Sequence, residues 1–119
     1  MRNEVILGEI FKKEFKKLSK KYRSLKSDVY QLIDSLEIEA VQGVKIRENT
    51  YKIRIAIKSK GKGKSGGGRV LTFVSFVDEK SSIISLLTIY DKSEKENVSD
   101  KYLDGLIDDA KQQIIDEEE

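Results

Sequence analysis

Residues 51–70 read YKIRIAIKSKGKGKSGGGRV, and the fold prediction starts from this stretch. Alternate residues from Tyr51 to Ile57 are apolar, which is typical of a half-buried β-strand with one apolar face and one largely basic face. The next ten residues, 59–68, are only Lys, Gly and Ser, and Arg69 begins another β-branched and aromatic run. The stretch therefore predicts two strands joined by a flexible basic loop.

Apolar spacing on either side of this stretch predicts the remaining elements. Residues 5–7 form a short apolar run that indicates a first strand. Two helices with a very short connection should follow, and such a connection favours an antiparallel helical hairpin. Their apolar positions at helical spacing are Phe11, Phe15, Leu18 and Tyr22 in the first helix and Leu25, Val29, Leu32, Ile33 and Leu36 in the second.

The second half of the chain predicts two more strands and a helix. Residues 70–77 and 83–90 are the strands, joined by a turn at 78–82, and Ser99 can cap the last helix. The order is β-α-α-β-β-β-α, an α+β fold with the helical hairpin packed on a mainly antiparallel four-stranded sheet. The length of 119 residues fits one domain, 1–119, with a frayed acidic tail at about 115–119.

The composition excludes several kinds of chemistry. The chain has no Cys, His, Trp or Pro, so disulfides, thiolate or imidazole catalysis and Cys/His zinc sites are excluded. Its abundant carboxylates leave an all-carboxylate Mg²⁺ site as an open alternative, although we expect no metal. No apolar run approaches the length of a membrane span, and the N-terminus lacks a signal-type apolar region. We expect a soluble cytoplasmic protein without a membrane partner.

The net charge of +2 hides an uneven distribution. Residues 1–77 carry 18 Lys and Arg against 8 Asp and Glu, a net charge of +10, whereas residues 78–119 carry 5 against 13, a net charge of −8. A basic body with an acidic end indicates a surface that binds a polyanion. Segregation of solvated surface charge is the alternative.

The basic loop contains Gly63-Lys64-Ser65, which resembles the end of a phosphate-binding P-loop. That motif needs Gly where this chain has Lys58, and it needs a helix directly after the Ser, where three glycines follow here. A nucleotide-hydrolysing P-loop is therefore not favoured. Glycines that allow close backbone approach, with lysines between them, suit a polyanion such as RNA. A disordered hairpin tip with solubilising lysines is the alternative.

A second cluster, residues 90–96, reads YDKSEKE and follows the last predicted strand. Tyr90 should lie at the end of the sheet, where it could stack on a base or transfer a proton, and a lysine could stabilise a phosphorane. A loop between strand and helix with an aromatic plug explains the same residues without chemistry.

Three segments together resemble the RelE/ParE toxin superfamily, in particular the RelE and HigB-like branch of type II toxin–antitoxin systems. They are residues 51–70, residues 86–99 (LLTIYDKSEKENVS) and residues 20–26 (KKYRSLK). The resemblance spans about residues 3–107 and implies a β-α-α-β-β-β core with a C-terminal helix. It also implies an endoribonuclease that needs no metal or cofactor and cleaves mRNA in the ribosome by attack of the 2′-hydroxyl on the adjacent phosphate.

The resemblance further implies which residues act. Arg69 would bind the phosphate in the transition state, Lys92 would be a second phosphate ligand or an acid, and Tyr90 would stack on the base or assist proton transfer. The implied RNA-binding residues are Arg54, Lys60, Lys62, Lys64 and Lys95. Some family members use a catalytic tyrosine on or near the last helix; the corresponding region here offers Tyr102, whose spacing instead predicts a packed position.

The same resemblance implies the partners. They are mRNA, the ribosome and a cognate antitoxin of the helix-turn-helix type, with operator DNA contacted only through the antitoxin complex. Two other functions stay open: a ParE-like poison of DNA gyrase, and a non-catalytic RNA-binding protein or decayed toxin. The basic loop favours the RelE and HigB-like branch over the gyrase poison.

Overall fold

A computed structural model describes residues 3–118 and confirms the predicted α+β class. Three α-helices and five β-strands follow one another along the chain, with one short 3₁₀ turn. Their bounds are β1 Glu4–Leu7, α1 Glu9–Lys21, α2 Leu25–Ile38, β2 Val44–Arg47, β3 Thr50–Ile55, the 3₁₀ turn Lys58–Lys60, β4 Gly68–Phe76, β5 Ser82–Asp91 and α3 Asp100–Glu118.

The sheet has five strands in the order β1-β5-β4-β3-β2. Strand β1 runs parallel to β5, and the other neighbours are antiparallel. The sequence predicted four strands and missed β2, so the predicted four-stranded sheet is wrong by one edge strand. This strand has only four residues, and they alternate little in burial because it is an edge strand. A two-residue turn joins it to β3, and Asn49 takes a positive φ of 58° there.

One face of the sheet packs against α1 and α2, as the periodicity predicted. Phe11, Leu25 and Leu36 of these helices are fully buried there. They pack with alternate residues of the strands, among them Ile53 and Ile55 of β3. Because successive side chains of a strand point to opposite faces, Lys52 and Arg54 must lie on the other face.

The second face packs against α3, and this helix covers only part of it. Its apolar contacts with the sheet come from Leu103, Leu106, Ile107 and Ala110. Ser99 caps the helix, since its hydroxyl accepts a hydrogen bond from the Tyr102 amide at 3.1 Å. Tyr102 itself is 40% exposed, so its predicted packing against the sheet is wrong.

The acidic residues of α3 lie on its exposed side. Arg47 of β2 donates a hydrogen bond to Asp104, and its guanidinium is 3.6 Å from a carboxylate oxygen of Asp100. The helix extends through residues 115–118 of the predicted frayed tail, and Glu119 lies outside the described residues. Along residues 3–118, none of the helices combines the length and the apolar character that a membrane span requires.

Candidate functional site: a basic groove beside the Gly/Lys loop

An open groove of about 970 Å³ runs along strand β3, between helix α2 and the loop that joins β3 to β4. It exists because β2 pairs with β3 only as far as Lys52, which leaves the outer edge of the last three residues of β3 without a neighbouring strand. The charged residues that line the groove are Lys52, Arg54, Lys58, Lys64, Arg69, Asp28 and Glu96. Five of these seven are cations, so the groove is suited to a polyanion.

Two arginines are direct cross-strand neighbours in this groove. Arg54 of β3 pairs with Arg69 of β4 in the antiparallel register, so both side chains leave the same face of the sheet. Neither arginine forms an ion pair with a carboxylate of the described residues. Like charges directly opposite each other destabilise a sheet, and an anion bound between them would offset that repulsion.

Arg69 is buried, with only 3% of its surface exposed. Its Nη1 donates hydrogen bonds at 3.0 Å to the carbonyls of Lys64 and Gly68, and its Nη2 donates one at 3.1 Å to the carbonyl of Ser65. Arg69 is thus anchored by hydrogen bonds to the backbone of the loop. The Nε–H and one Nη2–H have no hydrogen-bond partner among the described residues.

Arg54 differs from its neighbour because it is exposed and hydrogen-bonds to none of the described residues. Lys52 lies two residues away on the same face and donates a hydrogen bond at 2.8 Å to the side-chain oxygen of Asn97. Sequence reasoning did not assign Lys52 or Lys58 to the site. The strand alternation that placed Arg54 on the basic face could have identified Lys52 as well.

The Gly/Lys loop, residues 59–68, needs its glycines at particular positions. Gly61 and Gly63 adopt left-handed backbone conformations, with φ of 73° and 64°. Gly67 has no room for a side chain, since an added Cβ would lie 2.1 Å from the carbonyl oxygen of Ile55. The glycines therefore define the path of the loop, in addition to giving a ligand access to its backbone.

Lys60 is held inside the protein. Its Nζ is 2.6 Å from Oδ1 of Asp91, which is fully buried at the end of β5. The hydroxyl of Tyr22 donates to Oδ2 of the same carboxylate at 2.5 Å, and Ser93 donates through both its amide and its hydroxyl. Burial alone would raise the pKa of Asp91, but the hydrogen bonds from Lys60, Tyr22 and Ser93 outweigh it and hold that pKa well below its usual range.

Sequence reasoning missed this cluster. Asp91 was only one carboxylate among many, and Tyr22 was assigned to the apolar face of α1. The hydroxyl of Tyr22 belongs to the cluster around Asp91. Its hydrogen bond to the Asp91 carboxylate, together with burial, raises the pKa of Tyr22. No local sequence signal joins residues 22, 60 and 91, because the chain folding brings them together.

A second polar contact fixes the start of the loop to helix α2. The hydroxyl of Ser24 donates to Oδ2 of Asp28 at 2.7 Å and accepts a hydrogen bond from the amide of Ser59 at 2.8 Å. The amide of Lys58 also donates to that Asp28 oxygen, at 3.2 Å. The 3₁₀ turn at the beginning of the loop is therefore held from two sides.

Tyr90 lies in the core under α3, with 4% of its surface exposed. Its hydroxyl donates to the carbonyl of Glu96 at 3.2 Å, and the ammonium of Lys95 lies 5.6 Å from its ring centre. Burial raises the pKa of Tyr90, and the nearby Arg69 opposes that effect. With its ring buried and its hydroxyl bound, Tyr90 has the contacts of the aromatic plug that was the alternative explanation.

The predicted site residues thus occupy different places. Arg54, Lys64 and Arg69 line one groove. Lys62 is exposed on the loop, and Lys60 is bound to Asp91. The remaining residues are Tyr90, Lys92 and Lys95 on the segment after β5, where the amide of Lys92 donates to the carbonyl of Gly67 at 3.1 Å.

Comparison with known proteins gives a similarity to a solved structure. No protein-family model matches the chain, and no curated protein sequence matches it. A solved structure of the E. coli toxin RelE, an arginine-to-alanine double mutant in the free state, is similar over 96% of this chain and 99% of that one. The sequence identity is 19% and the TM-score is 0.48.

Proposed function

We propose that the protein is the toxin of a type II toxin–antitoxin system and acts as a ribosome-dependent mRNA endoribonuclease. The proposal rests on the resemblance of residues 20–26, 51–70 and 86–99 to RelE and HigB-like toxins. The groove supports it independently, because its cations and its open shape fit a single-stranded polyanion.

The observation that carries the proposal is the pair of cross-strand arginines, Arg54 and Arg69, in a groove bordered by Lys58 and Lys64. In cleavage by the 2′-hydroxyl, the 2′-oxygen loses its proton and forms a new P–O bond, while the P–O5′ bond breaks and the leaving 5′-oxygen takes up a proton. Negative charge accumulates on the non-bridging oxygens of the phosphate during this step. Preorganised guanidinium groups stabilise that charge, and this requires no metal ion. Arg69 has two N–H donors without a partner among the described residues, and Arg54 offers an exposed guanidinium.

The other implied residues take secondary places in this proposal. Lys92 is partly buried beside the loop, where its ammonium is the proposed second phosphate ligand or acid. Lys62, Lys64 and Lys95 are exposed and would contact the RNA backbone. Tyr90 would act by packing beneath Arg69, its cross-strand neighbour.

Partners follow from the same groove. An acidic segment of a cognate antitoxin would occupy the cations that RNA needs, and a disordered segment of that kind folds as it binds. We propose an antitoxin of the helix-turn-helix type that also carries the complex to operator DNA. The toxin itself would act on ribosomes in the cytoplasm.

The test is mRNA cleavage in a translating extract, with Arg54→Ala as the main variant. Arg54 is exposed and without hydrogen-bond partners among the described residues, so its removal should leave the fold intact and lower cleavage by at least roughly tenfold. Lys80→Ala is the matched control, because Lys80 is an exposed cation in the turn at the far end of β4 and β5. Arg69→Ala is a poorer choice, since it also releases the loop backbone.

Three outcomes contradict the proposal in different ways. Intact mRNA with normal translation in the presence of the parent protein would exclude the endoribonuclease. Salt-dependent RNA binding without cleavage would indicate the non-catalytic RNA-binding protein. Inhibition of gyrase supercoiling without effect on mRNA would indicate the ParE-like poison.

A further inference from the structure

Asp91 contacts both ends of the Gly/Lys loop. Its carboxylate accepts the ammonium of Lys60 at the beginning of the loop, and its backbone lies opposite Gly68 at the end of the loop in the β4–β5 register. Its carbonyl also accepts the amides of Glu94 and Lys95, which begins the turn after β5. One fully buried residue therefore connects the beginning of the loop with its end.

The donors to this carboxylate come from three separate parts of the chain. Tyr22 directly follows the last residue of α1, Lys60 ends the 3₁₀ turn, and Ser93 belongs to the turn after β5. Lys21 adds a more distant ammonium, 3.9 Å from Oδ2. A buried carboxylate with this number of donors stays ionised, and removing it would leave a largely buried ammonium unpaired.

The charge of Lys60 is used inside the protein. Only 14% of its side chain is exposed, and Asp91 neutralises it at 2.6 Å. Lys58, Lys62 and Lys64 of the same segment are exposed, and no carboxylate among residues 3–118 forms an ion pair with them. The cations of this segment therefore divide into one that holds the loop and three that are free to contact RNA.

The geometry points to Asp91 as a positioning residue of the groove, with Lys60 as its internal counter-ion and not an RNA contact. This inference rests on the proposed function for its RNA arm. Through Lys60 and Gly68, Asp91 places the loop so that Lys58 and Lys64 border the groove and the Lys64 carbonyl reaches Arg69. Lys60 thus changes from an implied RNA ligand to a structural cation.

The first experiment needs no RNA. The amides of Lys60 and Gly61 donate to the carbonyls of Ile57 and Lys58, so hydrogen exchange can follow the 3₁₀ turn in the full chain. Asp91→Asn should accelerate exchange at these amides by about tenfold, the change that corresponds to losing one hydrogen bond to a charged group. Lys62→Ala is the matched control and should leave both rates unchanged, because the Lys62 side chain is exposed and unpaired among the described residues.

Two milder variants cover the case in which Asp91→Asn fails to fold. Tyr22→Phe removes one donor and keeps the Lys60 ion pair, and Lys60→Met removes the cation and keeps the donors from Tyr22 and Ser93. Each should accelerate exchange at Gly61 relative to the parent, and by less than Asp91→Asn does where that variant folds. Unchanged exchange at Gly61 in both milder variants would overturn the inference.

The second experiment separates positioning from RNA contact. Affinity for a 2′-O-methylated single-stranded RNA is measured over a series of salt concentrations, and each phosphate contact contributes about 0.7 to the slope of log affinity against log salt. Lys64→Ala should lower the slope by about 0.7, whereas Lys60→Ala should leave it unchanged. An equal loss of slope in Lys60→Ala would show that Lys60 contacts phosphate and would overturn the inference. If the parent protein binds no free RNA, the cleavage assay in the translating extract alone decides the proposed function, and the exchange result alone decides the role of Asp91.

Discussion

Arg69 and Arg54 are cross-strand partners, one buried and one exposed. Replacing each by lysine should therefore change the free energy of unfolding by very different amounts. Arg69→Lys keeps the positive charge but replaces a forked guanidinium with a single ammonium, which cannot span three carbonyls. Arg54→Lys changes an exposed side chain without hydrogen-bond partners among the described residues. The pair therefore compares the same substitution, on the same face of the sheet, in a buried and an exposed position.

The magnitude follows from the hydrogen bonds. Arg69 donates to three carbonyls, those of Lys64, Ser65 and Gly68, and a lysine can keep one of them. Because Lys64 and Ser65 are exposed, water can partly replace the lost donors. At about 1 kcal/mol for each of the two lost bonds, Arg69→Lys should lower the free energy of unfolding by about 2 kcal/mol. Arg54→Lys should change it by less than about 0.5 kcal/mol.

Urea denaturation followed by far-UV circular dichroism measures both values. With a slope of about 2 kcal/mol/M, the midpoint of Arg69→Lys should lie about 1 M below that of the parent. The reasoning is refuted if Arg69→Lys and Arg54→Lys have the same midpoint, because Arg69 would then be a free phosphate ligand that does not hold the loop.

Four further substitutions probe the Asp91 cluster, the loop, helix α3 and the core. The pKa of Asp91 is lower in the folded than in the unfolded chain, so its ionised carboxylate stabilises the protein fully above the unfolded pKa of about 3.9. That stabilisation is lost as the pH falls from the unfolded pKa through the folded one. In denaturation at a series of pH values, the stability of Asp91→Asn should therefore depend less on acid than that of the parent. Gly67→Ala should destabilise the protein by more than about 2 kcal/mol because the new Cβ would collide with the Ile55 carbonyl. Gly105 lies inside α3 with open space around it, so Gly105→Ala should stabilise the protein by about 0.8 kcal/mol. Thermal unfolding distinguishes the two. Phe11→Ala should cost about 3–5 kcal/mol in the same assay because the ring is fully buried, and a cost below about 1 kcal/mol would contradict the described core.

Periodicity was sufficient for most of the fold because most elements have one buried face. The alternation from Tyr51 to Ile57 and the helical spacing from Phe11 to Tyr22 both describe surfaces that pack against the same core. Strand β2 has no such signal, since three of its four residues are exposed and its place is determined by pairing with β3. The parallel pairing of β1 with β5 is likewise a property of the whole sheet, beyond the reach of any local pattern.

The candidate site was predictable where charge and alternation coincide. Arg54 and Arg69 lie on the basic face that the pattern indicates, and the glycines lie in the loop between them. The pattern cannot show that Lys60 points inward, because that depends on Asp91, 31 positions along the chain. Tyr90 was expected at an accessible sheet end, but α3 covers it, and the packing of that helix is a tertiary event.

The parallel pairing of β1 with β5 has a consequence for biosynthesis. Val5 lies beside Ile84, so the first strand has no partner in the sheet until most of the chain has been translated. Asp91 is synthesised later still, and its contacts with Lys60 and Gly68 hold the loop that borders the groove. Folding of this kind is non-local and therefore slow, and an incomplete chain on the ribosome cannot form the groove. The groove can therefore form only after residue 91 has been translated, and the RNA contacts proposed for it become possible only then.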